Sequence, residues 1–160
     1  MTVTISPRGA MPDFDFALDD LLRVGILVDD QLWLERPDVI ARVRAADLRG
    51  VAHRARTVRE ERPGVPVLVD INVMIAPDAQ RARTAMEQVA PFTDDTLLYV
   101  GTPAGLAGLV TDIQALGIAD GTVLIPLRSE EVLDLIRDRV LPELQTMAPR
   151  SVDLRGARPA

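Results

Sequence analysis

Apolar and polar positions along this chain follow two periods, one helical and one extended. The run "VPVLVDINVMI" is almost wholly apolar, is flanked by Pro63-Gly64 and Ala76-Pro77, and has the length of a buried strand, which predicts a strand over Val65 to Ile75. "ILVDDQLWL" predicts another strand, Ile26 to Leu34, with a polar interruption at Asp29 and Asp30. Between them, "RPDVIARVRAADLRGVAHRARTVREERPG" predicts a helix that starts near Asp38, bends at Gly50 and stops at Pro63-Gly64. Pro77-Asp78 opens a helix over "AQRARTAMEQVA", which ends by Pro91, and "TLLYV" predicts a short strand at Thr96 to Val100. In "GTPAGLAGLVTDIQALG", Thr102 is placed to cap a helix, with Pro103 at its first position and Gly117 at its end. A strand at Gly121 to Leu127 follows. Ser129 then caps a last helix, with Glu130 and Glu131 in its first turn and Leu133, Ile136, Val140 and Leu144 on one stripe.

The chain begins differently. Residues 1–13 hold two prolines and a glycine without an apolar period and read as a flexible arm, while Phe14, Leu18, Leu21 and Leu22 have the spacing of a leading helix. The tail, 146–160, again has no period and reads as loosely ordered, leaving one domain over 14–145. Strands alternating with helices imply parallel pairing through right-handed crossovers, hence an α/β fold. Either a doubly wound sheet or an arc of a (β/α) barrel satisfies that order.

Asp70 and Asn72 favour the barrel. Strand side chains alternate between faces, so Val67, Val69, Ile71, Val73 and Ile75 form one wall and Leu68, Asp70, Asn72 and Met74 the other. A parallel sheet covered by helices on both faces has no place for a polar wall, whereas a barrel strand turns one face inward, where polar residues can line a pocket. The aliphatic wall is therefore expected against the helices and the Asp70/Asn72 wall toward a lumen or a shared interface. The plainer alternative is that both residues only hydrogen-bond their neighbours in a polar interior.

Composition removes several chemistries. The 160-residue chain has no cysteine, and all 18 of its basic residues are arginine, which excludes disulfides, thiolate nucleophiles, Schiff bases and a Walker lysine. His53 is the single histidine and the serines are Ser6, Ser129 and Ser151, a poor basis for a catalytic triad or a histidine metal site. Chemistry here is expected to be carried by a cofactor. The net charge of −6 argues against nucleic acid as a partner. The local excess of arginine between Arg42 and Arg62 reads as a solvated helix face, with contact to a partner or an anionic ligand as the alternative. Nothing in the sequence has the length of a membrane span or the pattern of a secretion signal, so the expectation is a cytoplasmic protein without a membrane partner.

"LLYVGTPAGLAGLVTDIQALGIADGTVLIPL" followed by "VLDLIRDRVLPELQ" resembles the carboxyl-terminal part of the bacterial luciferase-like flavin-dependent monooxygenases. "DDQLWLERPD" and "VLVDINVMIAPDAQRAR" look like the two preceding strand regions of that family, so the resemblance runs from about Leu18 to Leu144. It departs at Ala104 and Gly105, where the family often has acids, and in the tail "SVDLRGARPA". The resemblance implies four consecutive β/α units, the carboxyl-terminal half of an eight-stranded barrel. Such a half-barrel would expose sheet edges and inner residues such as Leu68, Met74 and part of Leu97 to Val100. Covering about 1,000 Å² of apolar surface is worth on the order of tens of kcal/mol gross, so a second copy or another chain is expected to complete the barrel.

Two functions follow from the resemblance. In one, the assembled lumen holds FMN or a deazaflavin and the protein, or a complex containing it, oxidises a small organic substrate. Asp70, Asn72 and Asp29 would then contact flavin or substrate. In the other, the chain is a non-catalytic luciferase-like accessory subunit, or a small-molecule or flavin-binding protein, that completes a partner's barrel. No catalytic residue carries over. Gly101 and Thr102 remain candidates for ligand contact, because a strand that enters a helix at glycine gathers backbone N–H groups and the helix dipole, although capping alone explains the same residues.

Overall fold

The computed structural model describes residues 23–34, 39–89, 95–127 and 129–147; the arm over 1–13, the helix from Phe14 and the tail beyond Met147 lie outside the described residues. Six strands of the described residues form one sheet. Its order is β2 (Gln31–Leu34), β1 (Arg23–Val28), β6 (Gly121–Pro126), β4 (Val67–Ile75) and β3 (Ala41–Val43), with β5 (Leu97–Gly101) on β4 beside β3. The helices are α1 (Leu48–Glu61), α2 (Ala79–Glu87), α3 (Pro103–Ala115), α4 (Ser129–Leu135) and α5 (Leu141–Met147), the last two joined by a π-helical turn, Ile136–Val140.

The sheet is helix-covered on one face. Val67, Val69, Ile71, Val73 and Ile75 share a core with Val51 and Ala55 of α1, Leu106 and Val110 of α3, and Leu144 of α5. The opposite face carries a separate cluster of Leu32, Ile40, Leu68 and Val123, joined by Leu27, Leu34 and Ile125, with no residue of a described helix in it. The two walls of β4 fall as expected, except that Met74 packs into the helix-side core. Among the described residues the cover is one-sided, as in a barrel arc and unlike a doubly wound sheet. Strand order departs from that of a closed barrel, because β6 lies between β1 and β4 while β5 pairs with the other edge of β4, so β5 and β6 are not neighbours. The chain has a mixed α/β fold with a half-barrel-like sheet.

It is not built of four consecutive β/α units. The predicted single strand Ile26 to Leu34 is an antiparallel hairpin, β1 with β2, because Asp29 and Asp30 form its turn. Both have positive φ, 51° and 63°, the pair that a two-residue turn of the primed type needs and that aspartate tolerates better than most residues. The helix expected near Asp38 instead begins at Leu48, after strand β3. Residues Ala41, Val43 and Ala45 are buried while Arg42 and Arg44 are not, a period of two. Asp47 caps α1 by accepting from the Gly50 N–H at 2.7 Å, so Gly50 lies in the first turn and not at a bend.

The hairpin also bears on the inner face. Leu32 and Leu34 pack with Leu68, so Leu68 is fully buried within one chain, as is Met74 on the helix side. Of the residues expected on an open inner wall, Leu98 is exposed. In the last helix, Pro142 cannot donate to the preceding turn and its ring would crowd the Asp138 carbonyl; the π turn directly before it gives that room. One extra residue in the turn brings both Val140 and Leu141 into the core, with Ile136 and Leu144, while Leu133 is half-buried.

Candidate functional site

Asp70 stands at the middle of β4, on the face away from the helices. Its carboxylate accepts two hydrogen bonds from one guanidinium, Arg42 Nε to Oδ1 at 2.8 Å and Arg42 Nη2 to Oδ2 at 2.7 Å. Arg42 lies opposite Leu68 in the β3–β4 register, so its side chain reaches one pair of residues along the strand to meet Asp70. The pair is enclosed, with side-chain exposures of 10% and 2%. Arg44 follows on the same side, its Nη2 4.0 Å from Oδ2. Asn72, 4% exposed, continues the wall beside Ile125 of β6. Two charge-assisted bonds in fork geometry fix the Asp70 carboxylate in one orientation.

The second candidate lies at the strand ends. Thr102 has extended backbone and its hydroxyl accepts from the Gly105 N–H at 3.1 Å, which is the expected cap. Tyr99 closes the corner, donating its hydroxyl to the Thr102 carbonyl at 3.2 Å. The ring rests on two glycines. A Cβ on Gly101 would stand 2.6 Å from the Tyr99 oxygen, and one on Gly105 closer still. Pro103 brings no N–H and Gly105 has given its own to Thr102, so Ala104 holds what the helix start can offer an anion.

These two places are apart. Gly101 pairs with Ile75, five residues past Asp70 along β4, a rise of about 16 Å. Asp70 and Asn72 share the inner face, Gly101 and Thr102 sit at the carboxyl-terminal rim, and Asp29 is exposed in the hairpin turn at the end of β1. Arg42 and Arg44 were not among the candidates from sequence, which placed them on a helix face. The signal for them was the alternation of Ala41, Val43 and Ala45 with the two arginines.

Elsewhere the chemistry is sparse. His53 is exposed on α1, and among the described residues no group of three or more His, Asp or Glu could hold a metal ion. Asp138, on the outer helix, is held below the ordinary aspartate range, first by the hydrogen bond from Arg137 and then by the charges of Arg137 and Arg139. An open groove of about 430 Å³ runs along α2 past Asp78, Arg81, Thr84 and Gln88, on the helix side of the sheet. No helix among the described residues is long and apolar enough to cross a membrane.

No family model matches the sequence, and no curated protein does. Solved structures do match the fold. The chain is similar to a long-chain alkane monooxygenase (TM-score 0.54, 13% identity, 66% of this chain and 36% of that one). It is also similar to a riboflavin lyase solved with modified FMN and riboflavin (TM-score 0.54, 15% identity, 70% and 39%). A third is the EDTA monooxygenase of Chelativorans sp. BNC1 (TM-score 0.51, 17% identity, 69% and 40%). The likeness is one of fold, and the chain spans 36% to 40% of the length of these proteins.

Proposed function

We propose that this chain serves a flavin-dependent oxidoreductase or monooxygenase of the luciferase-like class, acting on a small organic substrate, as the part that supplies one arc of the barrel wall. A second copy or another chain supplies the rest. The observation that carries this reading is the one-sided sheet: helices cover the wall of Val67 to Ile75, while the opposite wall holds a fixed polar group, Asp70 with Arg42. Solved enzymes of the same fold, one of them described with modified FMN, support the class of chemistry.

The residues present do not make a flavin site in a single chain. Both Asp70 oxygens are taken by Arg42, Asn72 is buried, and the Thr102 helix start keeps most of its polar groups for Tyr99 and Gly105. No flavin chemistry is therefore assigned to these side chains; their role is to shape and rigidify the wall. That same closure favours a second reading, an accessory subunit without catalysis of its own. Titration of FMN and of a deazaflavin against the purified chain, alone and with candidate partner chains, separates the two. Flavin bound only by a complex containing this chain, with turnover, supports the first. A complex whose flavin binding and turnover are unchanged when this chain is left out removes it.

A further inference from the structure

β5 is an open edge of the sheet. Among the described residues it pairs with β4 alone, and its far side shows in its burial: every residue of β4 is buried, whereas Leu97, Tyr99 and Val100 are half-buried and Leu98 is 44% exposed. Natural edge strands are blunted by charge or proline, and "TLLYVGT" over 96–102 holds neither. Such an edge offers its backbone groups to another strand. The segment also reads nearly alike in both directions about Tyr99. An antiparallel copy centred there sets Leu98 against Val100 and Leu97 against Gly101, with no like charges opposed.

The helix above this edge is self-complementary too. α2 packs over β5 and β4 and runs back against their direction, as the crossover between parallel strands must. Gly101 is level with Ile75, and Tyr99 lies two residues, about 7 Å, below that rim. At about 1.5 Å per residue, α2 reaches the same depth about four or five residues past Ala79, at Thr84. Arg81 and Glu87 stand three residues to either side of Thr84; both are exposed, Arg81 at 73% beside Asp78 of the helix cap. A twofold axis passing Tyr99 and Thr84 therefore brings Arg81 of each copy to Glu87 of the other, two opposite-charge pairs in one contact.

We propose that a second copy of this chain docks along the β5 edge about a twofold axis, so that the two sheets run on as one with their helices on the same face. This rests on the reading that another chain extends the arc: that chain is a second copy, and the seam is antiparallel, because a twofold axis normal to the sheet reverses the strand.

The chain has no cysteine, so single-cysteine variants report the seam directly. Leu98→Cys and Val100→Cys chains are mixed in equal amounts and oxidised, and the disulfide-linked dimer is followed on non-reducing gels. The mixture should cross-link about tenfold faster or more than either variant alone, since opposed residues have Cβ atoms about 5 Å apart and diagonal ones about 7–8 Å. In sedimentation equilibrium, Arg81→Glu and Glu87→Arg should each weaken the dimer about tenfold or more, and the chain carrying both should regain it. Circular dichroism checks the fold of each variant, and if the β5 cysteines unfold the chain the α2 charge swap decides. A natural chain that stays monomeric at its highest soluble concentration overturns the seam and leaves the arc to be extended by a different chain. A dimer whose mixture cross-links no faster than the single variants, or that ignores the charge reversals, is joined elsewhere; it overturns the seam with the arc reading intact.

Discussion

Replacing Asp70 by asparagine tests the inner wall at its centre. The substitution keeps the size of the side chain and one acceptor oxygen, removes the charge, and sets an amide NH2 group against the Arg42 guanidinium. Arg42 is 10% exposed and Asp70 2%, and their bonds are 2.7 and 2.8 Å long, so water does little to rescue the cation left behind. Breaking an enclosed pair from one side costs about 3–5 kcal/mol; the acceptor oxygen that asparagine keeps places this case near the lower end. For a domain of this size, about 3 kcal/mol lowers the melting temperature by roughly 6–12 °C. Removing both charges with apolar residues, Asp70→Leu with Arg42→Met, should recover most of that loss, since the desolvation cost goes with the pair. Urea unfolding followed by circular dichroism and by the fluorescence of the single tryptophan, Trp33, measures both variants. If Asp70→Asn costs under about 1 kcal/mol, or the double variant is no more stable than the single one, the enclosed fork is not what organises this wall.

Other positions give independent checks. Gly105→Ala should destabilise the chain through its collision with the Tyr99 hydroxyl, and Tyr99→Phe should relieve that collision, but not the one of Gly101→Ala, whose Cβ would also meet the ring carbon Cζ at 2.9 Å; melting temperatures of each glycine variant with and without Tyr99→Phe, against Tyr99→Phe alone, show the pattern. Asp30→Gly should raise stability by about 0.5–1 kcal/mol in urea unfolding, because glycine adopts the positive φ of 63° without steric cost. Thr122 is fully buried and its hydroxyl has no partner among the described residues, so Thr122→Val should stabilise the chain by about 1–2 kcal/mol by the same assay, and a loss of stability would mean that the hydroxyl has a partner.

Much of the helical layer was legible in the sequence. Asp78, Thr102 and the Gly117 stop act where the capping pattern places them, and the wall of Val67 to Ile75 packs against helices as its alternation demands. What misled was local ambiguity of period. "DVIARVRAAD" satisfies a helical spacing and an alternating one over so few residues, and pairing with Val67 to Val69 decides for the strand. The acids of "LVDDQL" could be read as a polar patch on a strand or as a turn, and only the antiparallel partner Gln31 to Leu34 makes them a turn. The inner-face site was half visible: Asp70 and Asn72 break an apolar run, but Arg42, which answers Asp70, is 28 residues away in sequence and joined to it through tertiary pairing.

If this chain is one arc of a larger cylinder, as proposed above, it does not stay alone in solution. Its mass in solution, measured by light scattering at micromolar concentration with and without flavin and candidate partner chains, tests that directly. A particle holding two or more chains, with a mass well above 17.5 kDa, is expected. A persistent 17.5 kDa monomer under all of these conditions would contradict it.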